Sequence, residues 1–219
     1  MTTLRKASEA QALENYRVAL ENVEIQPEIA AQMADFGYDA EKIAEGKALL
    51  TNTRQKFDFN KQETQETVVA RAAFEEKLAA LNGVYKPHRK KAKVVFRYDD
   101  TILKNLALSG AMPLAYIQRM ETIKTFYNGL QADSALLNRL LIFKVTPEDV
   151  AAALVLITET EAARSAYLIE VGESQDATKI KDAAFANIDL WMRDFYAVAK
   201  IALEDHPQLL EAVSLFVRS

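Results

Sequence analysis

Moved along itself by 107 residues, the sequence falls into register without a gap from about Phe36 to Leu106. Phe36 meets Phe143, Glu41 meets Glu148, Ala44 meets Ala151, and Leu49, Thr51 and Thr53 meet Leu156, Thr158 and Thr160. Ala92-Lys93 meets Ala199-Lys200. The apolar positions agree better than the identities: Ile43 with Val150, Leu50 with Ile157, Leu81 with Ile188, Val94 with Ile201, Phe96 with Leu203, and Ile102-Leu103 with Leu209-Leu210. A shared apolar period kept in one register over so long a stretch points to a tandem duplication. Whatever one half folds into, the other is expected to repeat.

The period is that of a helix. Leu13, Tyr16, Leu20 and Val23 recur at helical spacing in a first segment, about 5–23. Tyr116, Met120, Ile123, Tyr127 and Leu130 do so in its counterpart, 113–131, with Pro113 suited to a first-turn position. A short helix after Pro27 is expected to stop at Gly37, a natural residue just past a helix end, and its counterpart runs from Ser134 to about Phe143. Asp39 and the run Thr146-Pro147-Glu148 open a long helix in each half. These are expected to end near Thr64 and near Val171-Gly172. A second long helix is expected over about 67–97 and 175–204, with Asn82-Gly83 and Pro87 inviting a break or kink. Short final helices start at Asp100 and Pro207. The fold class read from this is all-α: an antiparallel four-helix up-and-down bundle, pseudo-twofold symmetric, with shorter accessory helices. It is read as one domain over 1–219, made of repeats 1–107 and 108–214.

The C-terminal text is the most distinctive: Trp191-Met192, Asp194-Phe195, Lys200-Ile201-Ala202-Leu203-Glu204-Asp205 and Pro207-Gln208-Leu209-Leu210-Glu211. It resembles the C-termini of a group of uncharacterised bacterial all-helical proteins. The resemblance implies helical structure and no activity. Physically, Ile188, Trp191, Phe195, Ala199 and Ala202 make one apolar face, and Pro207 starts a new helix at a bend.

Several chemistries lack their residues. There is no cysteine, hence no disulfide, thiolate-bound zinc or thiol nucleophile, and the composition fits a reducing, cytoplasmic compartment. Met1–Lys6 lack an apolar leader core, and no run of apolar residues is long enough to span a bilayer. Glycine-rich nucleotide loops and the Gly-x-Ser-x-Gly elbow do not occur. The two histidines follow Tyr85 and Leu203 by three positions rather than glutamates, so the carboxylate-bridged di-metal pattern of helical bundles is missing. No cofactor is expected. His88 matches Phe195 and is read as an inward, hydrogen-bonded histidine; Asp205 or His206 is read as the cap of the last helix.

One feature stands apart from packing. Lys86, Arg89, Lys90, Lys93 and Arg97 fall within an arc of about 100° on a helix. Lys91 adds a sixth base, no acid interrupts the stretch from Lys86 to Arg97, and Tyr85 and Tyr98 flank it. His88, Ala92, Val95 and Phe96 face the other way. In the second half the same stretch is charge-balanced, with Arg193 and Lys200 against Asp194 and Glu204. Residues 1–107 hold 17 basic and 16 acidic side chains, against 10 and 15 in residues 108–219. The basic ridge therefore has acidic side chains to pair with inside its own chain. The reading from sequence is a non-enzymatic interaction or scaffold module with a protein partner or as a homodimer. The alternative is a nucleic-acid-binding bundle that uses the ridge, since phosphate backbones release counterions to such surfaces. An enzyme with like residues gathered at a twofold axis, Glu41 with Glu148 or Lys93 with Lys200, is the third class.

Overall fold

The computed structural model describes residues 8–213. Eight helices follow one another: α1 (Glu9–Ile25), α2 (Pro27–Asp35), α3 (Ala40–Val95), α4 (Asp100–Asn105), α5 (Tyr116–Ala132), α6 (Ser134–Leu141), α7 (Pro147–Ala202) and α8 (Pro207–Ala212). No strand occurs among the described residues, so the chain is all-α. Residues 5–7 of the expected first helix and residue 214 of the second repeat lie outside the described residues.

The helix ends follow from local chemistry. Ser8 caps α1 by accepting from the Gln11 amide. Asp39 accepts from the Lys42 amide at the start of α3. Thr146 and Asp149 form a reciprocal box at the start of α7, each side chain accepting from the other's amide. Gly37, at φ +82°, ends α2, and the Tyr38 amide closes back on the Met33 carbonyl at 2.9 Å. Lys144 takes the same left-handed turn after α6 without being glycine, at φ 54°. Asp99 caps α4 through the Ile102 amide. His206 stands at the corresponding place before α8 but makes no side-chain capping bond. Pro113 lies ahead of α5 rather than in its first turn, which Tyr116 opens.

The larger difference lies in the long helices. The expected turns near 64–67 and 172–175 are absent, and α3 and α7 each run unbroken for 56 residues. Two helices thus stand where four were expected, and the up-and-down four-helix arrangement does not describe the chain. Residues 60–67 are polar but contain neither proline nor glycine, so nothing terminates the helix there. Gly172 costs about 1 kcal/mol against alanine, too little to stop so long a helix. Pro87 also sits inside α3. A helical proline's ring collides with the carbonyl four residues earlier; here that carbonyl belongs to Gly83, the most adaptable backbone available.

The helices gather into two compact units. One takes the described residues up to Gln65 together with those from Glu173 onward; the other is Glu66–Gly172. The division does not follow the repeat boundary at 107/108. Each unit draws on both halves of the chain.

In the first unit, α1 buries Leu13, Tyr16, Leu20 and Val23, and α2 buries Ile29 and Met33. They pack with Ile43 of α3 and with Phe185, Ile188, Met192, Phe195 and Ala199 of α7. Thr53 of α3 donates to the Ala184 carbonyl at 3.2 Å, and Asn60 to Thr178 at 2.9 Å, so α3 and α7 run antiparallel here. The Tyr16 hydroxyl donates to Asp189 at 2.9 Å.

The second unit centres on α5, whose Met120, Ile123, Phe126, Tyr127 and Leu130 are buried. Leu81, Tyr85, Ala92 and Phe96 of α3, Val150, Ala153 and Ile157 of α7, and Leu106 and Leu108 complete its core. His88 is buried and its Nδ1 lies 3.0 Å from the Tyr127 hydroxyl, the inward hydrogen-bonded placement expected of it.

Candidate functional site

The basic ridge is not a uniform outer edge. Lys86, Lys90 and Arg97 are exposed, whereas Arg89 and Lys93 are half-buried. The reason is the segment after α4. Ala107, at φ 51°, and Gly110, at φ 71°, turn the chain back against α3. Arg89 donates one terminal nitrogen to the carbonyls of Leu108, at 3.2 Å, and Gly110, at 2.9 Å. The Lys93 ammonium donates to the same Gly110 oxygen at 3.1 Å. Two cations therefore share one neutral acceptor. Lys91, on another face, donates to the Lys144 carbonyl.

Lys86, Arg89, Lys90 and Lys93 line a pocket of about 410 Å³, with Arg119 of α5 on the far side and Met112 and Leu114 as an apolar lip. Arg119 is held by the Pro113 carbonyl at 3.2 Å. Arg97 is outside this group, in the turn two residues beyond α3, with its guanidinium 4.6 Å from the centre of the exposed Tyr98 ring. Of the five ridge residues the structure thus brings four together and leaves one apart.

The electrostatics are one-sided. None of Lys86, Arg89, Lys90, Lys93 and Arg119 has a carboxylate partner among the described residues. The acidic excess of the second half is not spent on them: Glu159 pairs with Lys77, and Glu161 with Lys124. Loss of water holds the Lys93 ammonium below the ordinary lysine range, and the neighbouring Arg89 charge pushes the same way. Tyr85 lines the pocket with its ring buried, and neither its hydroxyl nor the Arg89 Nε has a hydrogen-bond partner. Burial pushes the Tyr85 phenol up; the Arg89 guanidinium is near enough to oppose that shift, though the pair falls outside hydrogen-bond geometry.

Sequence reasoning missed Arg119, Tyr85 as a wall, and the carbonyls of Leu108 and Gly110. A signal for Arg119 was present: its register partner is Ala12, a buried alanine of α1. The like pairs Glu41/Glu148 and Lys93/Lys200 fall in different units.

Fold and site together define a class no narrower than an all-helical protein with an unpaired basic pocket. No family model, curated protein or solved structure matches the chain. No helix among the described residues is long and apolar enough to cross a membrane.

Proposed function

We propose that the chain is a non-catalytic helical interaction module whose contact surface is the basic face of α3 in the second unit, and that its partner is an acidic protein. One observation carries this: Lys86, Lys90 and Arg97 are exposed, and no carboxylate of the described residues neutralises them. Packing needs no such charges, and solvated cations of one sign steer an oppositely charged partner. The architecture behind it we read as a duplicated, pseudo-symmetric pair of helical repeats, because α5, α7 and α8 begin 107 residues after α1, α3 and α4 and match them in length.

A second reading, a nucleic-acid-binding face, is favoured by Arg97 and Tyr98, where an exposed ring beside a guanidinium offers a base a stacking surface next to a phosphate contact.

Fluorescence anisotropy over a salt series tests both, with labelled polyglutamate and with mixed-sequence single-stranded DNA and RNA as probes. The first reading expects salt-sensitive binding of polyglutamate, weakened about tenfold or more in Lys86→Glu/Lys90→Glu/Arg97→Glu. Tighter binding of DNA or RNA, lost in the same variant, replaces it with the second. Failure of every probe at low salt overturns both.

A further inference from the structure

We propose that the pocket between α3, α5 and the segment 108–114 binds a ligand that presents two or more phosphoryl groups. Five cations converge there from two helices, and none is neutralised. The arrangement goes beyond a solvated basic face. Arg89 and Lys93 are drawn out of water onto one carbonyl oxygen, although their charges repel. Both residues are thus held close by the turn at Gly110 rather than by mutual attraction. Removing charges from water without an opposite charge is unfavourable, and an anion placed between them relieves that cost.

Charge, shape and size select the ligand. A single carboxylate leaves four of the five positive charges uncompensated. A diphosphate neutralises most of them. Its oxygens are also spread in three dimensions, which suits point-charge lysines arriving along α3 and a guanidinium arriving from α5. A pocket of about 410 Å³ is at the small end for ligand sites, enough for a diphosphate group and a modest remainder. Tyr85 lines the same wall with its ring buried.

The phosphoryl groups come from a small molecule or from the end of a nucleic-acid strand, and the experiment separates these. Calorimetric titration of the full chain with sodium diphosphate is expected to show single-site binding. Sodium sulfate at equal ionic strength is expected to bind far more weakly. Lys93→Met/Arg119→Met is expected to lower diphosphate affinity about tenfold or more. Lys104→Met removes one charge from the same unit outside the pocket and is expected to leave it unchanged. Lys90→Met, an exposed position, gives a smaller loss and serves if the double variant does not fold. A mixed-sequence oligonucleotide that binds more tightly than diphosphate, and loses its binding in the pocket variants, assigns the phosphoryl groups to a nucleic-acid strand. Absence of diphosphate and oligonucleotide binding overturns the proposal, as does equal weakening by Lys104→Met. The pocket shares Lys86 and Lys90 with the partner face, and the remaining residues separate the two readings. Arg97→Glu tests the partner face without touching this pocket, and Lys93→Met/Arg119→Met leaves Lys86, Lys90 and Arg97 in place.

Discussion

Gly46 lies in the seventh position of a 56-residue helix, where propensity alone favours alanine by about 1 kcal/mol. The structure nevertheless predicts that Gly46→Ala destabilises. A methyl group built at position 46 meets the Trp191 ring at 2.4, 2.7 and 2.8 Å from three of its carbons. These overlaps require movement, and the indole has little room to move. It stacks on Phe195 with ring centres 5.6 Å apart and meets the Tyr38 edge at 5.5 Å. Phe195 is fully buried and Tyr38 nearly so. Overpacking of this kind costs about 1–3 kcal/mol, so the net change is a loss of up to about 2 kcal/mol once the helix gain of about 1 kcal/mol is subtracted.

Gly172 supplies the control. It sits inside α7 with nothing within 4 Å of a built methyl group. Gly172→Ala is therefore expected to stabilise by about 0.5–1 kcal/mol. Urea titration followed by circular dichroism measures both. Trp191, the lone tryptophan, adds a fluorescence readout confined to the first unit. A double-mutant cycle isolates the contact: on a Trp191→Phe background, with the outer indole ring gone, Gly46→Ala is expected to turn neutral or stabilising. If Gly46→Ala stabilises the wild type as much as Gly172→Ala does, the indole does not rest on this glycine and the reasoning fails.

Thr53→Val removes a buried hydroxyl that donates to the Leu49 and Ala184 carbonyls; a loss of about 1 kcal/mol is expected in urea, read by Trp191 fluorescence, and an unchanged midpoint refutes it. Lys144→Gly relieves a left-handed residue at φ 54° and is expected to gain about 0.5–1 kcal/mol, whereas Gly37→Ala, at φ +82°, loses stability; denaturant midpoints decide both. Burial holds the His88 imidazole below the ordinary histidine range, with Lys91 acting in the same direction and Asp149 opposing. The unfolded chain therefore takes up the proton more readily. The stability this contributes is complete above about pH 6.5 and falls as pH drops toward the folded value. His88→Gln is expected to flatten that fall in thermal melts, and an unchanged pH profile beside a His206→Gln control refutes the assignment.

Most helix ends were legible in the sequence because they are set by one or two side chains, the start of α5 and the cap of α8 excepted. Asp39, Gly37, Asp99 and Thr146 act within their own turn, and the starts at Asp100 and Pro207 fell where expected. The end expected near Thr64 does not form in the middle of α3. Residues 60–67 face water on most sides, but a helix needs a terminator to stop, and Thr64 instead donates back to the Asn60 carbonyl at 2.8 Å. The repeat likewise shows which segments are alike but not which pack together. The first unit joins α1 and α2 to the far end of α7, a pairing that lies in long-range contacts and leaves no mark on the period.

The site was half legible for the same reason. Four cations along α3 follow from helical spacing, whereas the pocket needs Arg119 and the turn at Gly110, which only tertiary structure delivers. What sets the place apart is where the two halves differ, more than where they agree. Lys93 and Lys200 share a register position, yet Lys200 is exposed while Lys93 is drawn against Gly110 beside Arg89. The register partner of Arg89 is Tyr196, which packs on Phe195 with ring centres 5.4 Å apart, and that of Arg119 is the buried Ala12. At the positions of Arg89 and Arg119 the other unit places a packed ring and a buried alanine, whereas the positions of Lys86 and Lys93 are basic in both halves, as Arg193 and Lys200. Arg89 and Arg119 are charges that packing does not require and no carboxylate of the described residues offsets. A fold that closes with rings and alanine in one unit has no structural need for guanidinium groups in the other, and the proposed anion pocket rests on that contrast.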